Sequence, residues 1–184
     1  FGLKTSFGLA NESDTLLGAY TSGLLNLGAG ETIYTDIEAE YNINDKVNFA
    51  ARATFARTSS DVSGNFVLGL SDIKSNAFGL SANIGNLEFS ISQPLAITDG
   101  ALQYAYAKYD VDENSVLQIV DTHIADLALK SDVRETRFMG TYRHKFGEFT
   151  DGAFGFIYRV NPNHTSEFGN ESIFMLKLSH RLGI

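Results

Sequence analysis

Residues 33–57 read IYTDIEAEYNINDKVNFAARATFAR, and their apolar side chains recur at every second position on both sides of a short polar break. Because successive side chains of a β-strand point to opposite faces, this period of two predicts two strands, with residues 44–46 as the turn between them. The alternating positions are Ile33, Thr35, Ile37, Ala39, Tyr41 and Ile43 in the first strand, and Val47, Phe49, Ala51, Ala53 and Phe55 in the second.

The parity of these two series also predicts the register of the hairpin. With residues 44–46 as the turn, Tyr41 faces Phe49 and Glu38 faces Arg52. A slip by one residue would move every side chain to the other face and set apolar residues opposite polar ones. The stretch therefore predicts one apolar face and, on the other face, an ion pair between Glu38 and Arg52.

The same alternation recurs in five further places along the chain: residues 1–9, 78–91, 136–142, 154–160 and 174–182. The 14 Phe, 8 Tyr and only 2 Pro among 184 residues also favour β-structure. We expect an all-β protein of about 10–12 antiparallel strands in an up-and-down order, forming one domain over residues 1–184. The apolar residues of 61–75 and 116–130 do not alternate clearly. Each of these segments is compatible with a strand, a loop with a helical turn or an irregular excursion.

Composition narrows the classes of function. The formal net charge of -8 argues against nucleic acid as a partner, because neutralising phosphates takes clustered Lys and Arg. No apolar run approaches the roughly 20 residues of a membrane-spanning helix, so any membrane would be crossed by strands. The absence of Cys excludes disulfides and thiolate sites.

The chain opens on FGLKTSFGLA without an initiator Met, and we expect a mature or excised segment of a longer protein.

Two environments remain open for the apolar face. In a soluble β-sandwich this face would be buried and the charged face would meet water. In a transmembrane β-barrel the apolar face would meet lipid, and charges of both signs would pair inside and plug the barrel. The residues that we predict for these interior charge pairs are Glu38, Glu40, Arg52, Glu135, Arg137, Arg143, Arg159, Lys177 and Arg181.

Three features favour the membrane barrel. Charges of both signs recur on strand after strand. Tyr41 and Phe49 lie on the apolar face beside their turn, as the aromatic residues of a membrane interface do. The turn at residues 42–46 is short, whereas the connections 58–75 and 109–122 are predicted to be long, an asymmetry typical of outer-membrane barrels.

Three motifs occupy the second half of the chain: SQPLAITDGAL at 92–102, LALKSDVRETRF at 127–138 and FGFIYRVNPNH at 154–164. In type and order they resemble motifs of the C-terminal, autotransporter-like region of subtilisin-family serine proteases from Gram-negative bacteria. That resemblance implies a barrel in the outer membrane, with the protease upstream. The partners it implies are outer-membrane lipid, a covalently attached passenger domain and the barrel-assembly machinery.

The chain offers little for catalysis, and we expect a protein that is not an enzyme and has no cofactor. No GxSxG elbow is present. Loop or solvated positions are expected for the histidines, which have neither an HExxH motif nor paired metal-ligand spacing: His123, His144, His164 and His180.

Residues 110–115 read DVDENS, which places Asp110, Asp112 and Asn114 at the first three ligand positions of a calcium loop. Ser115 stands where such a loop requires glycine, so a flexible acidic loop without a metal is the interpretation we adopt.

The leading hypothesis is a non-catalytic outer-membrane β-barrel that anchors or translocates an attached passenger domain. The alternative is a soluble secreted β-domain, extracellular or periplasmic, that serves a secreted protease as a folding, surface-attachment or self-assembly module. A lipocalin-like barrel for a small apolar ligand would need an apolar interior, and the charged face argues against it.

Overall fold

A computed structural model of the chain describes residues 1–13, 15–16, 19–20, 29–61, 67–111, 117–147 and 149–180. All strand pairs are antiparallel, and the described residues hold no α-helix, only a 3-10 turn at Pro162–His164. The predicted all-β, antiparallel class is confirmed. The strands are β1 (Gly2–Ser13), β2 (Thr15–Leu16), β3 (Ala19–Tyr20), β4 (Ala29–Asn44), β5 (Val47–Ser60), β6 (Val67–Leu70), β7 (Ile73–Ile84), β8 (Leu87–Asp99), β9 (Ala101–Val111), β10 (Leu117–Ala128), β11 (Thr136–Lys145), β12 (Thr150–Val160) and β13 (Glu171–His180).

The described strands form three sheets. Eight strands build the large sheet in the order β1-β4-β5-β7-β8-β11-β12-β13, β6 joins β9 and β10 in a second sheet, and β2 pairs with β3. The large sheet is open, with β1 and β13 as its two edges, so the predicted closure into a barrel is not observed in the described residues. Separate open sheets also fit the alternative, a soluble β-sandwich. Within the described part of the chain, no helix has the length and apolar character needed to cross a membrane.

The predicted register of the β4–β5 hairpin is confirmed. Tyr41 pairs with Phe49, and Glu38 lies opposite Arg52. The turn itself is tighter than predicted, because β4 continues to Asn44 and a register shift follows Asn42. The Asn44 side chain stabilises this turn by accepting a hydrogen bond from the backbone N–H of Lys46 at 2.9 Å.

The strands are longer than the sequence predicts. The described residues form thirteen strands, and without β2 and β3, which have two residues each, eleven remain, in agreement with the expected 10–12. The described residues of the connections 58–75 and 109–122 are mostly strand: β5 reaches Ser60, β6 and β7 follow, and β9 and β10 enter the second segment from both sides. Pairing with a neighbouring strand satisfies the backbone of polar residues, so strands extend past the point where hydrophobic alternation ends.

The two faces of the large sheet differ in exposure. The apolar face carries the large side chains of the alternating series, and many of them are exposed, with Phe7 at 77% and Leu176 at 85%. The charged face is the more enclosed one: the Asp36 side chain is 17% exposed and Thr32 is buried. Buried hydrophobic residues are instead found where the large sheet meets the second sheet: Val67, Ile73, Ala96 and Leu102.

A bulge and a glycine shape this junction between the sheets. The β7–β8 register shifts between Asn76 and Phe78, next to Pro94, which has no N–H to donate to the ladder. Gly100 separates β8 from β9 with φ +146, a conformation that favours glycine, and a Cβ there would lie 3.2 Å from Ile73 Cγ1. The chain can therefore leave the large sheet here and start the β9–β10 hairpin.

Candidate functional site

The charged face of β1 and β4 holds one lysine between two glutamates. Lys4 Nζ lies 3.4 Å from Glu38 Oε1 and 3.5 Å from Glu40 Oε1, across the β1–β4 pairing. The Lys4 side chain is 71% exposed, so solvent screens these contacts and they add little to the stability of the fold. Two of the predicted interior charges thus pair with a residue outside the predicted set.

Arg52 pairs with Asp36, and this corrects the predicted ion pair with Glu38. Arg52 Nη2 lies 3.3 Å from Asp36 Oδ1, which also accepts a hydrogen bond of 2.5 Å from Thr54 Oγ1. Glu38 is opposite Arg52 in the register but turns to Lys4. Long side chains reach the diagonal neighbour on the same face as readily as the residue directly opposite, which the register alone does not reveal.

The predicted charges on the later strands have different surroundings. Arg143 Nη2 lies 3.1 Å from Glu88 Oε2, across the β8–β11 pairing. Lys177 lines a cavity of about 670 Å³ together with Arg143, Lys145 and Asp151. Arg181 lies outside the described residues.

Among the residues that the structure describes, the most enclosed charge is Glu135, which immediately precedes β11 and is 1% exposed. Arg159 donates two hydrogen bonds to the Glu135 carboxylate, from Nε to Oε1 at 2.7 Å and from Nη2 to Oε2 at 3.0 Å. Arg137 Nε adds a third at 2.5 Å, and Arg159 Nη1 also reaches Glu171 Oε2 at 2.6 Å. We call these four residues, Glu135, Arg137, Arg159 and Glu171, the rim cluster. All three predicted members lie in one ion-pair network, to which the structure adds Glu171.

The turn after β12 completes the rim cluster through its backbone. The N–H of Asn163 donates to Glu135 Oε2 at 2.8 Å, and His164 Nδ1 accepts from the N–H of Glu135 at 3.0 Å. Asn161, Asn163 and His164 all have φ between 50 and 60. Asparagine tolerates this left-handed region better than most residues, which explains its use on both sides of the buried Pro162.

The surroundings of Glu135 keep it ionised. The hydrogen bonds from Arg159, and then those from Arg137 and the N–H of Asn163, lower the pKa of its carboxyl to about 2, against the opposing effect of burial. A carboxylate that holds no proton at neutral pH is unsuited to general acid catalysis. Its satisfied hydrogen bonds are those of a structural clamp between β11, β12 and the turn.

The three motifs that carry the family resemblance meet at this end of the sheet. The N–H of Ser131 donates to the carbonyl of Ile97 at 3.1 Å, which joins the second motif to the first. Asn161 Nδ2 lies 3.5 Å from the carbonyl oxygen of Arg134, which joins the third motif to the second. Residues far apart in the chain are therefore held as one structural unit beside the rim cluster.

Arg134 is a feature that the sequence reasoning missed. It has the opposite parity to Glu135, and its guanidinium lies over the Phe78 ring on the apolar face, 5.5 Å from the ring centroid. Parity alone would have assigned Arg134 to that face. The acidic and basic partners Lys4, Asp36, Glu88 and Glu171 were missed as well, although each alternates with apolar residues on a predicted or extended strand.

The histidines have separate surroundings. His123 stacks on Tyr106 with ring centroids 5.4 Å apart, His180 Nδ1 lies 2.8 Å from Thr150 Oγ1, and His164 belongs to the turn at the rim cluster. Within the described ranges, no three side chains of His, Cys, Asp or Glu form a group that could hold a metal ion. Asp112 and Asn114 of the acidic segment lie outside those ranges, so the prediction for that loop remains a prediction.

Comparison of the chain with family models, with curated proteins and with solved structures finds no match in any of the three. The resemblance to the C-terminal region of subtilisin-family autotransporter-like proteases therefore stays a prediction.

Proposed function

We propose that this chain is a non-catalytic outer-membrane β-barrel, or the major part of one, that anchors or translocates an attached passenger domain. The observation that carries the proposal is the inverted exposure of the large sheet. Its apolar face carries exposed large side chains on all eight strands, whereas its charged face is the more enclosed of the two, with Lys4, Arg52 and Arg143 among its exposed side chains.

The apolar face is unfavourable in water. Leaving one Leu, Ile or Phe side chain exposed rather than buried costs about 1.5–3 kcal/mol. Soluble monomers rarely expose contiguous apolar patches beyond a few hundred Å². Exposed residues on this one face extend from β1 to β13: Phe7, Ile33, Phe49, Leu80, Phe89, Phe138, Phe154 and Leu176. Lipid chains would cover such a face without a second protein layer.

The charged face supports an anchor with a filled interior. Ion pairs connect neighbouring strands there, through Lys4, Arg52 and Arg143, and through the rim cluster at one end. Paired charges of both signs satisfy one another, as membrane-embedded charges must, and the pair of Glu135 and Arg159 does so in an enclosed place. The passenger domain is supported by the three motifs alone, and closure of the sheet is part of the proposal.

The alternative remains a soluble secreted β-domain that acts as a folding, surface-attachment or self-assembly module. The open edges of β1 and β13 favour it, because an unpaired edge can add a strand from another chain. In that case protein, not lipid, would cover the apolar face.

The two functions can be separated by asking which face meets lipid. The chain has no Cys, so single-cysteine variants give unambiguous labelling. We would attach an environment-sensitive fluorophore at L80C or F89C on the apolar face and, as matched controls one residue away, at S81C or S90C on the charged face. The proteins would be reconstituted in vesicles that contain lipids with a quencher on the acyl chain.

We expect strong quenching at positions 80 and 89 and weak quenching at 81 and 90. Equal quenching at neighbouring positions, or none at any of them, would overturn the membrane proposal. Stronger quenching at 81 and 90 would also overturn it, because the charged face would then be the lipid-facing one.

A further inference from the structure

The apolar face contains a groove in the middle of the large sheet, with a volume of about 480 Å³. Its floor is formed by small side chains on β4 and β5, because Ala39 pairs with Ala51, and Ala53 lies next to Phe78 of β7. Larger side chains form its walls: Ile37, Phe78, Leu80 and Ile91. A groove of this size and composition suits one hydrocarbon chain.

Arg134 lies at the end of this apolar groove. Its guanidinium stacks over Phe78, its Nη1 lies 3.4 Å from Gln93 Oε1, and its Nη2 donates to Asn76 Oδ1. Phe78 and Gln93 are themselves part of the groove lining. The guanidinium is thus held in position by an aromatic ring and two neutral amides.

These contacts leave the charge of Arg134 without a counter-charge. No carboxylate lies within 4.0 Å of Arg134 in the ranges that the structure describes, which sets it apart from the other arginines there. Each of those has an acidic partner: Arg52, Arg57, Arg137, Arg143 and Arg159. An arginine oriented by neutral groups, beside an apolar surface, is complementary to an anion that carries a hydrocarbon chain.

We infer that the apolar groove and Arg134 together bind a phosphate-bearing anionic lipid of the surrounding membrane, with one acyl chain in the groove and the phosphate on Arg134. The inference rests on the proposed membrane function and adds a lipid preference at one place on the barrel surface. Cationic pockets at the boundary of an apolar surface recognise lipid head groups in this way.

The neighbouring cations of the same face explain why Arg134 would carry the preference. Arg57 pairs with Asp72, and Lys74 Nζ lies 2.8 Å from Asp99 Oδ2. Both are therefore neutralised by their own partners at this end of the sheet. Arg57 offers a matched control, since its replacement changes the net charge by the same amount as replacement of Arg134.

The chain has no Trp, so a single tryptophan can report the lipid next to it. F89W places the reporter on the apolar face two residues from Ile91, and F174W places it on β13 as a remote reference. Each protein would be reconstituted in phosphatidylcholine vesicles and titrated with brominated phosphatidylglycerol or brominated phosphatidylcholine, which quench tryptophan on contact.

At F89W we expect half-maximal quenching at a mole fraction of phosphatidylglycerol about fivefold lower than that of phosphatidylcholine, the ratio for one charge contact near a membrane surface. At F174W the two lipids should be equivalent. R134Q should abolish the preference at F89W, R134K should retain most of it, and R57Q should leave it unchanged.

Equal quenching by the two lipids at F89W would overturn the inference while leaving the membrane proposal intact, and this measurement needs no Arg134 variant to fold. A preference equally present at F174W, or equally reduced by R57Q, would reveal a general charge effect and would also overturn it. Absence of quenching by either lipid at both reporters would overturn the inference and the proposed function together.

Discussion

Arg134 and Glu135 are adjacent in the sequence and lie on opposite faces of the sheet. Glu135 is enclosed on the charged face by two arginines and two backbone contacts, whereas Arg134 lies on the apolar face with neutral partners. Both residues immediately precede β11, and their contacts continue the alternation of that strand, in which successive side chains point to opposite sides. One dipeptide therefore serves both a structural clamp and the proposed lipid site.

Removing the charge of Glu135 should destabilise the protein strongly. E135Q leaves Arg159 and Arg137 without their shared carboxylate in an enclosed place, and breaking such a pair costs about 3–5 kcal/mol. We expect the free energy of unfolding to fall by an amount in this range. It would be measured by urea unfolding at pH 7, followed by circular dichroism in the detergent or buffer in which the unmodified chain folds. E88Q is the matched control: its partner Arg143 is 71% exposed, so its loss should stay within about 1 kcal/mol.

The low pKa of Glu135 also predicts a pH dependence. Its pKa is about 2 in the folded chain and 4.5 when unperturbed, so the stability it contributes is complete above pH 4.5 and is lost as the pH falls towards 2. The loss amounts to about 3 kcal/mol between these limits. Urea unfolding of the unmodified chain should show this decline, and E135Q should lack it. An equally steep decline in E135Q would assign the acid sensitivity to other carboxyl groups.

At the scale of elements, the β4–β5 hairpin was predictable and the strand ends were not. Hydrophobic parity is sufficient to place Tyr41 opposite Phe49, because any odd register would mix the two faces. Parity does not say how far a polar strand continues or which diagonal partner Arg52 selects. Those features depend on the neighbouring strands β1 and β7, which are remote in the sequence.

A cross-link can test the hairpin register in solution. Ala39 and Ala51 are opposite each other on the apolar face, and antiparallel partners have Cα atoms about 4.5–5.5 Å apart, within the range of a disulfide. We expect the double variant A39C/A51C to form an intramolecular disulfide under mild oxidation, seen as a faster band on a non-reducing gel. A39C/A50C should remain reduced, since residue 50 is on the charged face. The reverse result would contradict the register.

At the scale of the whole molecule, the function depends on whether lipid or protein covers the apolar face of the large sheet. The large sheet exposes apolar side chains on one face, and its edges β1 and β13 are unpaired with each other in the described residues. A barrel would join these edges and leave the apolar face to lipid, whereas a soluble assembly would cover that face with protein.

Detergent dependence follows from this difference. We expect the chain to aggregate without detergent and to become monodisperse in it, as judged by size-exclusion chromatography. A folded membrane barrel should also migrate differently on a detergent gel before and after boiling, because its strands resist unfolding by the detergent. A monodisperse species in plain buffer, with no change of migration on boiling, would instead support the soluble β-domain.

The sequence by itself determined the all-β class, the two faces of the sheet and the register of its central hairpin, because a period of two couples every side chain to a face. The tertiary structure decided which charges meet. Glu135 and Arg159 are 24 residues apart, and Arg134 and Asn76 are 58 apart. Contacts of this kind depend on strand order, bulges and turn conformation, which no local pattern encodes. The apolar face of residues 33–57 thus also provides the floor of the groove beside Arg134.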